Sequence, residues 1–123
     1  MKKISTEKAP QAIGPYSQAY VANGFIFTSG QIAIDPADGT IKATTIEEQT
    51  EQVCKNVEEI LKAAGSGMEN VVKTTCFLAD MGDFAAFNGI YEKHFVSKPA
   101  RSCVAVKQLP KNVLCEVEAI AVK

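Results

Sequence analysis

The spacing of apolar and polar positions changes several times along the chain, and each change marks an element. Tyr20-Val21-Ala22 and Phe25-Ile26-Phe27-Thr28 are short β-prone runs on either side of Asn23-Gly24. Asn-Gly between apolar runs predicts a type I′ hairpin, because both central residues of that turn need positive φ. Asp35-Pro36-Ala37-Asp38-Gly39 reads as a turn, with proline fixing φ early and glycine taking the left-handed position late. From Thr45 to Ala64 the period becomes helical. Ile46, Val53, Val57, Ile60, Leu61 and Ala64 share a face, while Glu47, Lys55, Glu58 and Lys62 fall mostly elsewhere. Thr45 followed by Glu48 fits a capping box, and Gly65 fits the C-terminal cap.

Val71 to Ala79 is rich in β-branched and aromatic residues and reads as a strand covered on both faces. A second helix is expected after Asp83 as N-cap, with Phe84, Phe87, Tyr91 and Phe95 spaced by three and four. Arg101 to Val106 and Val113 to Val122 read as two further strands. Leu109-Pro110-Lys111-Asn112 between them predicts a closing hairpin. The order β-β-(β)-α-β-α-β-β predicts a single α+β domain over residues 1–123. Its sheet is largely antiparallel but mixed, with about six strands and two helices on one face.

On the last strand Val113, Cys115, Val117, Ala119 and Ala121 alternate with Leu114, Glu116, Glu118, Ile120 and Val122. Apolar side chains therefore occupy both faces, yet two helices cover only one. The other face calls for a cover, and a second copy of the chain is the simplest one. That face also carries Glu116 and Glu118 among Leu, Ile and Val. A carboxylate on a covered face is costly unless it is paired or used.

Composition bounds the rest. The chain has 123 residues, 46% hydrophobic and 22% charged, near the globular average. A domain of this size buries about two thirds of its unfolded surface, enough for one core without disulfide or metal staples. Lys plus Arg is 13 against 14 Asp plus Glu, a net charge of -1, so no basic stripe awaits a phosphate backbone and nucleic acid is not an expected partner. The apolar runs are too short to span a bilayer. The basic residues of Met1 to Glu7 have no apolar stretch behind them, as a secretory signal would. Cys54, Cys76, Cys103 and Cys115 form no C-x-x-C, and His94 is the single histidine. They read as reduced thiols of a cytoplasmic protein rather than as a zinc site.

The chain's single arginine, Arg101, begins a strand two residues before Cys103 and on the same face, with Pro99 restricting its entry. Arg101, the two glutamates and the hydroxyls of Tyr16 and Ser29 are the polar inventory of a pocket. A guanidinium grips a carboxylate through two parallel bonds, which suits a small organic acid as ligand. On spacing alone, a structural ion pair between Arg101 and Glu116 or Glu118 is the simpler reading. Cys103 as a nucleophile would need an activating base, and His94 stands near a helix end, where an imidazole serves the terminus.

Ala12-Ile13-Gly14-Pro15-Tyr16-Ser17-Gln18-Ala19 and Phe27-Thr28-Ser29-Gly30-Gln31 resemble the N-terminal signature of the reactive intermediate deaminase (RidA, YjgF-like) family. Val72 to Leu78 and Phe87-Asn88-Gly89-Ile90-Tyr91 match its middle. Pro99-Ala100-Arg101-Ser102-Cys103-Val104, Leu109-Pro110 and Glu116 to Ala121 match its C-terminal stretch. The resemblance runs the whole chain in order. It implies a chorismate-mutase-like fold, a homotrimer with pockets between subunits, and hydrolysis of 2-imino acids to 2-keto acids and ammonia without metal or organic cofactor. Carried over, Arg101 would hold the substrate carboxylate and Glu116 would deprotonate the attacking water. The backbone of Cys103 would help hold the substrate, and Tyr16, Ser29 and Asn88 would complete the pocket. The segment Phe95 to Pro99 is shorter than the family pattern, which bears on the pocket rim. Similar proteins have also been described as ribonucleases or translation inhibitors, and a non-catalytic sensor of 2-keto or amino acids would need the same arginine.

Overall fold

Asn23 and Gly24 turn the chain at φ of 52° and 81°, the pair of left-handed residues that a type I′ turn demands. They join β2 (Ala19–Ala22) to β3 (Phe25–Thr28) in antiparallel register, Ala22 opposite Phe25. The computed structural model describes residues 1–123 and adds β1 (Lys2–Ile4), α1 (Ile46–Ala63), β4 (Val71–Leu78), α2 (Phe84–His94), β5 (Ala100–Ala105) and β6 (Cys115–Val122). One six-stranded sheet runs in the order β1-β2-β3-β6-β4-β5. All pairs are antiparallel except β4 with β5. The α+β class, the mixed sheet and the strand number are as the sequence predicts.

The first helix follows its local signals. Thr45 accepts from the Glu48 amide while the Glu48 carboxylate accepts from the Thr45 amide, a complete capping box. At the other end the Gly65 amide bonds Lys62 O and the Ser66 amide bonds Leu61 O, the Schellman pattern, with Gly65 left-handed. Val53, Val57, Ile60 and Leu61 are fully buried against Ile26, Cys76, Val117 and Phe87 in one core.

Two expectations need correction. β5 and β6 form no closing hairpin, because β4 lies between them. The reason is burial. Side chains of β5 are exposed or half-buried, which suits a sheet edge, whereas every second residue of β6 is buried. The link from Val106 to Leu114 instead crosses the end of β4. It is stitched there by Val106 N to Leu78 O and Ala79 N to Leu114 O. The bracketed third strand before α1 is the N-terminal β1, and between β3 and α1 Gln31 only bridges to Val117. Finally, β4 is buried on one face only: Thr74, Cys76 and Leu78 face the helices, and Lys73, Thr75 and Phe77 are half-buried on the other side.

That other side is the open face of the sheet. Register places Tyr20, Phe25, Phe27, Ile120, Phe77 and Val104 on it. Phe25, Phe27 and Val104 remain 41%, 44% and 47% exposed.

Between β3 and α1 the chain is held by side chains rather than strand pairing. Asn56 on α1, 1% exposed, donates to Ile32 O at 3.1 Å and Ile34 O at 2.9 Å, and accepts from Gln52. Replacing Asn56 by Leu removes both donors and leaves two carbonyls facing the core. The expected loss is about 1–3 kcal/mol, measured as a lower midpoint in thermal or urea unfolding with native helix content retained.

Candidate functional site

Arg101 stands on β5 opposite Thr74, on the helix-covered side of the sheet. Its Nη1 donates to Asn88 Oδ1 at 2.7 Å. The guanidinium lies 4.9 Å from the ring centre of Tyr91 and 5.4 Å from that of Phe84, so two aromatic faces and one amide carbonyl hold it. Tyr91 is fixed in turn. Its hydroxyl is 2.7 Å from Thr74 Oγ1, its ring stacks on Phe95 at 4.3 Å, and burial pushes its phenol up to about 12. The four ion pairs of the chain are Lys42–Asp35, Lys42–Asp38, Lys62–Glu58 and His94–Glu51. The structural pairing of Arg101 with Glu116 or Glu118 is therefore not made. Arg101 lines a cavity of about 460 Å³ together with Asn88, Glu92, Val96 and Pro99.

Glu116 stands on β6 opposite Phe77, on the open face. Two strand spacings of about 4.8 Å and three residues of about 3.3 Å separate it from Arg101 across the sheet, and the two side chains leave opposite faces. Glu116 is half-buried. Burial, and then the neighbouring Glu118 charge, raise its carboxyl above the ordinary carboxylate range. It lines a second cavity, of about 570 Å³, with Tyr16, Ser29, Gly30, Ile32 and Ile34. The Ser29 hydroxyl donates to Ser17 O at 2.6 Å, leaving its oxygen free as an acceptor. Tyr16 follows a tight turn closed by its amide on Gly14 O, and its ring is 53% exposed. The wall behind is held by Gln18, 3% exposed, which accepts from the Thr6 amide and donates to the carbonyls of Thr6, Ala9 and Pro10.

The six residues nominated from sequence thus divide. Tyr16, Ser29 and Glu116 share one cavity, Arg101 and Asn88 the other. Cys103 lies beyond Arg101 on the same face of β5, opposite Cys76, and lines neither cavity of the single chain. Burial raises its thiol, an effect Arg101 only partly offsets, so it is no ready thiolate. His94 ends α2 with Nε2 2.6 Å from Glu51 Oε2 on α1, a helix-to-helix tie. Glu118 is exposed where Glu116 is not, a distinction that alternation alone does not make. Tyr91 and Phe84 were read as core and turn out to flank the guanidinium. Asn88 lies four residues after the one and three before the other, and that shared helical face was the available signal.

The profile of the endoribonuclease L-PSP family matches residues 6–123. A RutC family protein of Synechocystis is 54% identical over 125 residues, covering 99% of this chain and 96% of its own length. The human 2-iminobutanoate/2-iminopropanoate deaminase is 50% identical over 121 residues, covering 98% of this chain and 88% of its own. The crystal structure of E. coli TdcF with bound serine superposes with a TM-score of 0.94 at 42% identity, covering 100% of this chain and 99% of that one.

Because the fold raises the Glu116 carboxyl, its ionised form costs stability at neutral pH, and that cost vanishes below the unfolded carboxylate range near about 4.3, where the group is protonated in both states. Glu116→Gln is therefore expected to raise the thermal midpoint at pH 7. The gain should disappear on acidification through that range. Calorimetry across pH on both chains measures it.

Proposed function

From the premise that this chain belongs to the endoribonuclease L-PSP family, within which it resembles the reactive intermediate deaminases, we propose that it hydrolyses 2-imino acids to 2-keto acids and ammonia. The observation that carries this reading is the guanidinium of Arg101, held by Asn88 and two aromatic rings with no carboxylate of its own. It is pre-set for the carboxylate of a small ligand. The human deaminase relative and the serine held by TdcF support a ligand of the amino-acid class.

In the proposed reaction Arg101 holds the substrate carboxylate and so fixes the imine carbon beside it. Glu116, ionised at neutral pH, takes a proton from water as the oxygen bonds to that carbon. Glu116 hands that proton to the imine nitrogen to give the carbinolamine. It then moves the carbinolamine hydroxyl proton to nitrogen as the C–N bond breaks, so ammonia leaves, the 2-keto acid remains and the carboxylate is regenerated. Imines hydrolyse unaided, so positioning and one general base suffice. Tyr16 and Ser29 line the water's side, Asn88 orients the arginine, and the Cys103 backbone is assigned to the substrate.

Arg101 and Glu116 leave opposite faces of one sheet, so the proposed site forms between two copies. The open face, with Phe25, Phe27 and Val104 exposed, is the surface through which a homotrimer would close. No helix is long and apolar enough to cross a membrane, and a cytoplasmic setting agrees with four free cysteines. An endoribonuclease reading has less support: the only histidine is tied to Glu51, and the net charge is -1.

Semicarbazide trapping of imines released by an amino acid oxidase, with and without the protein, tests the activity. Undiminished trapping would overturn it. Arg101→Lys should be nearly as damaging as Arg101→Ala, because lysine cannot make the paired bonds. Glu116→Gln should cost about 10²–10⁴-fold in rate, and Glu118→Gln only a few-fold.

A second measurement addresses the assembly. Arg101→Ala and Glu116→Gln chains, each inactive alone, should regain about a quarter of wild-type activity when refolded together, because random mixing brings the two intact halves face to face at that frequency. No recovery, or a stable monomer in sedimentation, would refute the shared site.

A further inference from the structure

The Glu116 carboxylate makes no hydrogen bond and no ion pair within the chain. It is absent from every side-chain bond of the fold, while buried polar atoms elsewhere all have partners. Something other than hydrogen bonding must therefore set where it points. What lies against it is the bare α-carbon of Gly30. A methyl group there would overlap Glu116 Oε2 outright, and would fall 2.8 Å from Cδ and 3.1 Å from Cγ.

Gly30 has no positive φ, unlike Gly14, Gly24, Gly39 and Gly65, so its backbone conformation does not call for glycine. Nor can the loop shift to make room. Ser29 is fixed by its amide on Gln18 O and its hydroxyl on Ser17 O. Gln31, 5% exposed, exchanges both backbone bonds with Val117, at 2.8 and 3.1 Å. The chain is thus clamped on either side of Gly30, directly over the residue that precedes Val117.

We propose that Gly30 is the positioning residue for Glu116: the clamped loop presents a surface without a side chain, and the carboxylate rests on it, turned into the cavity it shares with Tyr16 and Ser29. The proposal rests on the reading of Glu116 as the base. The glycine is there for space. Any side chain at this position drives the carboxylate out of its seat toward solvent, where it still titrates but no longer faces the substrate's water.

The test is a double-mutant cycle on imine hydrolysis, with semicarbazide trapping as readout. Gly30→Ala should lower kcat by about 10- to 100-fold, the order expected for a misplaced group, with KM within a few-fold. The acidic limb of its pH–rate profile should move to lower pH, because a carboxylate freed from partial burial titrates nearer its ordinary range. In a Glu116→Gln background the same substitution should add no further loss. Glu116→Asp, one methylene shorter, draws the carboxylate back and removes the outright overlap with the methyl. The Gly30→Ala/Glu116→Asp chain should therefore fold and work as well as Glu116→Asp alone, even if Gly30→Ala by itself folds poorly.

An unchanged kcat and pH limb in Gly30→Ala, or losses that simply multiply in the Asp double variant, would overturn the proposal. So would a double variant that also fails to fold, since the clash would then lie elsewhere. A near-normal rate for Glu116→Gln is a different result: it removes the base itself and the activity model with it.

Discussion

The structure depends on β6 lying in the middle of the sheet. It pairs with β3 on one side and β4 on the other, and the backbone of Gln31 extends its ladder. Cys115, Val117, Ala119 and Ala121 are buried in the core that both helices share, and α1 packs directly on this strand. A strand in that position has only its other face for chemistry. The period of two along β6 sends Glu116 to the open side, while the register of β5 on β4 sends Arg101 to the covered side. The separation of the two charges is thus a consequence of core packing.

The two halves are built differently. On the helix side the arginine is gripped: an amide oxygen, two rings and a buried hydroxyl pair define it, all from α2 and β4. On the open side the carboxylate is merely seated, and the definition lies in the loop around it, tied to Gln18 and Val117 and, through Ile32 and Ile34, to Asn56 on α1. A cation gains from aromatic faces and a partial negative charge. The base proposed here would be weakened by strong donors, and none is supplied.

What the sequence made legible was local. The Asn23-Gly24 hairpin, the Thr45–Glu48 cap and the Gly65 stop are each specified within a few residues, and all three stand in the structure. The expected hairpin between β5 and β6 fails because the parallel β4–β5 pairing joins segments more than twenty residues apart, and only comparative burial reveals it. β1 has one apolar residue, Ile4, facing the core and too little pattern to announce itself. The residues proposed to carry the chemistry stand out by type and by motif. Their division into two cavities does not, since it follows from register. Gly30, standing in a quoted motif, gave no sign of the role proposed for it because the absence of a side chain has no periodicity.

An uncompensated guanidinium also has a bearing on the lifetime of the protein. A positive charge set among aromatic rings without a counter-charge is a deficit in the native state that an anion arriving from solution makes good. By mass action, any anion that binds the folded form and not the unfolded one deepens the native well in proportion to the logarithm of its concentration. Proteases act on the unfolded fraction. On the proposed reading of Arg101, chains in a ligand-rich cell would accordingly be degraded more slowly than chains in a starved one, and abundance would follow ligand supply without any change in synthesis.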